Sequence, residues 1–161
     1  MQAFAQWLAT TPVSREIQGV LWVIPALQAV HILAIAAILS SILMIDLRLL
    51  GVAGRSQTMH ETGHRFLPWI WASLIVLAAT GLTLVVGEPK RSLLNPAFQL
   101  KMLLLACAVV ATLAFHMSLR RNLAFWEGHR SKVIGGVVVL TFLLWCAIAV
   151  AGRWIAYLQP Y

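Results

Sequence analysis

Acidic side chains are scarce in this sequence: five Asp and Glu stand against twelve Lys and Arg in 161 residues that are 61% hydrophobic. Charged residues of both signs reach only 11%, too few to solvate an ordinary soluble domain. Cysteine is limited to Cys107 and Cys146. Both fall in apolar runs, away from the aqueous phase in which thiols are oxidised, and read as small buried hydrophobes. Linkers rich in Pro or Ser, low-complexity tracts and repeats are absent, and no loop is long enough for an extra domain. Residues 1–161 therefore read as one unit. There is no phosphate loop, closed zinc motif or nucleophile–base pair. The opening "MQAFAQWLATTP" lacks the basic n-region and long apolar core of a secretory signal.

What the sequence does contain is four runs without a formal charge, over 17–45, 66–87, 102–119 and 133–152. Crossing about 30 Å of hydrocarbon takes about 20 apolar residues in a helix, and these runs cover 89 of the 161 residues. The fold class follows: all-α, an integral membrane bundle of four transmembrane helices, with spans expected over 17–47, 66–87, 96–119 and 133–157. Phe4, Trp7 and Leu8 recur at helical spacing, which predicts a short N-terminal helix in the interface, ending at Pro12. An even number of spans puts both termini on one side. Basic residues favour the segments after spans one and three (Arg48, Arg55, Arg65; Arg120, Arg121, Arg130, Lys132) over the other side (Arg15, Lys90, Arg91, Lys101, Arg153). That bias predicts a bacterial inner membrane protein with both termini periplasmic. The net charge of +7 is then juxtamembrane anchoring to anionic headgroups, and nothing points to nucleic acid.

Local signals mark the helix ends. Pro68 is expected in the first turn of the second span, Asn95 as an N-cap and Pro96 at the first helical position of the third. Pro25 is expected to kink the first span. Trp22, Trp69, Trp71, Trp145 and Trp154 lie mostly near span ends, as interfacial anchors do.

The residue that needs explaining is His31, inside "LQAVHILAIAAILSSILMIDLRLLG". An imidazole in hydrocarbon without a partner is costly, and an ionisable residue there is a functional hypothesis by default. One reading is an interhelical hydrogen bond, to Ser73, Thr112 or Gln28. The other is axial ligation of a haem iron, which a four-helix bundle accommodates between facing helices. On the third span Lys101, Ala108, Thr112 and His116 fall within one sector of about 80°. Its small residues let a helix or a flat cofactor approach. Trp69, Ser73, Thr80 and Gly87 form a mixed stripe on the second span. His31 and His116 are thus the metal candidates, although His116 lies on the order of 10 Å deeper along the bundle. Lys101 and Arg153, at the other end, are candidate propionate partners, with Lys101 also a candidate ligand.

His60 and His64, spaced i, i+4 in "HETGHRF", make at most half a metal site; with His129 they read as exposed loop histidines. Asp46 and Arg48 read as a boundary charge cluster, paired with Arg120 or Arg121, rather than as a proton relay. The methionines Met44, Met102 and Met117 are scattered and form no paired soft site for copper.

The ordered segments "HILAIAAILSSILMIDLRLLG", "RFLPWIWASLIVLAATGLTL", "NPAFQLKMLLLACAVVATLAFH" and "AGRWIAYL" resemble a bacterial family of four-helix membrane proteins of unknown function. That family in turn resembles, distantly, the copper-resistance D membrane domains and the HemJ-type protoporphyrinogen oxidases. The second resemblance implies haem b held by a first-helix histidine and a third-helix lysine, positions that His31 and Lys101 resemble. The first implies copper handling. The expectation drawn from residues and resemblance together is a b-type haem protein that passes electrons, between a quinone and a partner protein in the bilayer. Copper or small-molecule transport and a porphyrinogen or quinone oxidase are the alternatives. Whether the chain is an enzyme, and whether its copies associate, are left open.

Overall fold

A computed structural model of the chain describes residues 2–54, 56–121, 125–126, 132–155 and 157. Seven helices make up the described fold: α1 (Gln2–Ala9), α2 (Pro12–Gly19), α3 (Val23–Leu49), α4 (Met59–Gly87), α5 (Pro89–Leu93), α6 (Pro96–Arg121) and α7 (Lys132–Trp154). Four of them, α3, α4, α6 and α7, are long and apolar enough to cross a membrane, so the chain is a multi-pass membrane protein with an all-α fold.

Two of the span starts differ from the expected ones, and a third matches. The first span starts at Val23, six residues later than the charge-free run. The run's first residues belong to α2, which opens on the Thr11 cap and Pro12 and ends where Val20 becomes extended. Pro25 therefore lies in the first turn of α3, where its missing N–H would have had no intrahelical partner, and it has no kink to cause. The second span begins at Met59 rather than 66, because a capping box starts it earlier. The Glu61 N–H donates to Thr58 Oγ1 at 3.1 Å and the Thr58 N–H to the Glu61 carboxylate at 2.8 Å. Pro68 is then well inside α4, where it leaves the carbonyl of His64 without its usual donor. The third boundary is the expected one: Asn95 caps α6, its Oδ1 accepting from the Ala97 N–H at 2.9 Å ahead of Pro96.

The expected N-terminal helix is present, with Phe4 and Trp7 stacked at 5.8 Å and turned outward. It is followed by α2, whose Gln18 amide donates to the Gly87 carbonyl at 2.8 Å and so holds it to the end of α4. Between α3 and α4 the chain turns through Gly51 and Gly54, both at φ of 66°, a backbone that glycine adopts without strain. α3 packs most extensively on α4 and also on α7, while α6 packs mainly on α7. Ile38, Ile70, Ala108, Trp145 and Ile148 form the middle of the core. Trp145 is 4% exposed, a packing residue rather than the interfacial anchor expected. Trp69, at 63% exposure, stands outside the inward stripe to which Ser73, Thr80 and Gly87 do belong.

Candidate functional site: a histidine and a lysine where four helices meet

His31 sits eight residues into α3, and its ring reaches two other spans. Nδ1 is 2.7 Å from Thr80 Oγ1 on α4, and Nε2 is 3.2 Å from Lys101 Nζ on α6. The fourth span contributes Gly152, whose missing side chain is what admits Lys101. A Cβ there would stand 3.4 to 3.6 Å from the end of the lysine chain. Gly81, next to Thr80, does the same for the imidazole, with its Cβ position 3.5 Å from His31 Cε1. Each transmembrane helix thus supplies one part.

The hydrogen bonds favour one tautomer. A threonine hydroxyl has one hydrogen, and that of Thr80 goes back to the Val76 carbonyl at 2.7 Å, as threonines in helices do. Its oxygen is left to accept, so Nδ1 of His31 carries the ring proton and donates to it. Nε2 then holds the lone pair, which accepts from the Lys101 ammonium. Thr80 is 7% exposed, so this arrangement is shielded, and an unmade bond there would be costly.

Of the interhelical partners expected for His31, none is used: Ser73 and Thr112 lie elsewhere in the core and Gln28 is exposed. Thr80 was in view as part of the α4 stripe, but its pairing with His31 depends on where α3 starts. With α3 counted from Val23, His31, Thr80 and Lys101 stand eight, seven and five residues from the matching helix ends, a signal that correct boundaries would have exposed.

His31 and His116 are not brought together. His116 is bound by Trp71, whose indole N–H donates to its Nδ1 at 3.3 Å. Trp71 is nine residues before Thr80 on the same helix, about 13 Å along its axis. One iron cannot take both rings as axial ligands in this arrangement, and the depth offset seen in the sequence is the reason. His116 instead lines an open cleft of about 320 Å³ with Trp71, Pro68, His60, His64 and Arg120. His60 and His64 are on the first turns of α4, rings stacked at 6.3 Å and exposed, rather than in a loop. His129 lies outside the described residues. Among the described residues no group of three or more His, Cys, Asp or Glu could hold a metal ion.

Arg153 is exposed beside the Lys101 contact, with its guanidinium 3.1 Å from the Tyr157 hydroxyl and over that ring at 5.3 Å. Arg48 donates to the Gln57 carbonyl at 2.7 Å. Asp46, expected at a boundary and paired with arginine, is 5% exposed and faces into the bundle. Its register on α3, four residues after the buried Ile42 and one after Ile45, carries it inward.

A model of a family of unknown function, DUF6644, matches residues 10–158, nearly the whole chain. The chain belongs to that family. Membership in DUF6644 takes in the two short helices after residue 10 and all four spans, so the residues around His31 belong to the region matched. No curated protein matches the chain, and no solved structure does.

Proposed function

We propose that this chain is a b-type haem protein of the bacterial inner membrane, both termini periplasmic, which passes electrons between a quinone and a partner protein. The observation that supports this reading is the state of His31. Its Nδ1–H is anchored by a buried hydroxyl, and its Nε2 lone pair points toward a neighbouring helix. A histidine that ligates through one nitrogen is typically oriented through the other in this way. The donor set fits an axial ligand. Lys101 Nζ stands 3.2 Å from Nε2, so a haem held by His31 would need Lys101 to give up that contact.

In this reading His31 would hold the iron, and Lys101 would serve as a second ligand or, with Arg153, as a partner of the propionates. His116 is not part of that site. Bound haem supplies a one-electron couple whose potential is set by its ligands and by the low dielectric around it. Thr80 keeps His31 in the ligating tautomer, Gly81 and Gly152 keep bulk away from the two nitrogens, and the surrounding hydrocarbon excludes water. Distant kinship with HemJ-type oxidases, implied by the histidine and lysine, would make a porphyrin or quinone a substrate of the same site. Kinship with copper-resistance D domains gains nothing from the scattered methionines.

A second reading has its own observation. Both ring nitrogens of His31 already have protein partners, as a polar tether between α3, α4 and α6 requires and no ligand need satisfy. Visible spectra of the protein purified in detergent, oxidised and dithionite-reduced, separate the two. A Soret band with sharp reduced α and β bands, lost in His31→Ala, is the expected result. A colourless, folded protein after expression with ample haem would overturn the haem reading and leave the tether.

A further inference from the structure

Asp46 is the chain's single aspartate, and the reading above does not use it. It lies three residues before the end of α3, about one turn from the aqueous boundary, and borders a cavity of about 40 Å³ between the four spans. Its Oδ2 is buried and has no hydrogen-bond partner among the described residues. The groups that face it are Leu67 and Ile70 on α4, Thr112 and Phe115 on α6, and Thr141 and Trp145 on α7. Among the described residues that line the cavity, Asp46 is the one ionisable side chain.

Two hydroxyls stand beside it. Thr112 Oγ1 is 2.8 Å from the Ala108 carbonyl, and Thr141 Oγ1 is 2.9 and 3.0 Å from the carbonyls of Val137 and Val138. Each has a single hydrogen, for which a carbonyl of its own helix competes. Thr141 is hydrogen-bonded to the carboxyl. That is one shared donor for a carboxylate with about four lone-pair sites, whereas a carboxylic acid can donate its own O–H to a threonine oxygen. An isolated carboxylate in an apolar interior is costly, and the described residues lining the cavity include no cation to offset it. Two carboxyl and two hydroxyl oxygens also fall short of the roughly six that a hard metal cation takes. The cavity has room for a water, which needs about 10–15 Å³ by this measure, and its lining extends to Leu49, the last residue of α3.

We propose that Asp46 is an intramembrane proton-binding site: its carboxyl rests protonated between the helices, and exchanges that proton with the nearby aqueous face through the cavity. The site is independent of haem binding at His31, whose partners are Thr80, toward the other end of α4 from Leu67 and Ile70, and Lys101 on α6. Because the chain has one aspartate, protein grown with aspartate carrying ¹³C in the side-chain carboxyl, with unlabelled asparagine supplied, reports on Asp46 alone. Infrared spectra of the wild type in lipid bilayers at neutral pH are expected to show the C=O stretch of a carboxylic acid. That band shifts on exchange into D₂O, is absent from Asp46→Asn, gives way to carboxylate bands as pH is raised, and does not change when Na⁺ is replaced by choline. Carboxylate bands at neutral pH would overturn the proposal: unaltered by Na⁺ they mean a hydrated anion, and altered by Na⁺ a metal cation site.

Discussion

Replacing Thr80 by valine tests the tautomer of His31 directly. Valine keeps the shape of the side chain and removes the oxygen that accepts from Nδ1 at 2.7 Å. The ring then has two courses. It can keep its proton on Nδ1, leaving a shielded N–H without an acceptor, which costs about 1–3 kcal/mol in protein interiors. It can instead move the proton to Nε2, which sets an N–H against the Lys101 ammonium 3.2 Å away and breaks that bond. Polar contacts between membrane helices average only about 0.6 kcal/mol and reach about 1.7, because the unfolded chain in lipid finds other partners. Thr80 is 7% exposed and about two turns from the end of α4, where water is scarce, so the upper part of that range applies. The expected loss is about 1–2 kcal/mol, measured by reversible unfolding in mixed detergent micelles. Thr80→Ser keeps the acceptor and should recover most of it. Nitrogen NMR of the labelled ring should find Nδ1 protonated in the wild type and in Thr80→Ser. A Thr80→Val protein as stable as the wild type, with unchanged ring nitrogen shifts, would refute the assignment.

Trp145→Ala should cost about 3–5 kcal/mol, the range for emptying a large aromatic site in a core, since the ring is packed in the central cluster; the same unfolding assay reads it, and a cost under 1 kcal/mol would place that ring at the lipid surface. Asn95→Ala removes the cap of α6 and the amide donated to the Ile155 carbonyl at 3.2 Å. A loss of about 1–2 kcal/mol is expected, with faster hydrogen exchange at the first α6 amides. Gly87→Ala would set a methyl 2.9 Å from Ile17 Cγ2, tighter than side chains tolerate. It should cost on the order of 1–3 kcal/mol and increase exchange over residues 12–19 by loosening α2.

Residues that were legible in the sequence share one property: their signal is local. The Asn95 and Pro96 start of α6, the Phe4 and Trp7 face of α1 and the inward face of α6 through Ala108 and Thr112 all follow from spacing or from a capping residue. The misplaced boundaries have local causes too, in signals that were present and outweighed. Thr11 with Pro12 marks α2, and Thr58 with Glu61 marks the start of α4, yet counting uncharged residues ran across the first and stopped short of the second. Sequence distance from the span end alone puts Asp46 at a boundary. One turn inside a helix is enough to place a side chain in the core when its face points there.

The sequence by itself determined that this chain has four membrane-crossing helices, because the cost of placing charge or an unpaired backbone in hydrocarbon adds up residue by residue and needs no knowledge of neighbours. It also determined that His31 must have a partner. Only the tertiary structure decided which one, since pairing depends on which helices are adjacent, on their rotation and on their relative depth, and none of these is encoded within a single helix. The same three quantities separated His31 from His116, joined it to Thr80 and Lys101 through the gaps at Gly81 and Gly152, and turned the carboxyl of Asp46 into the bundle.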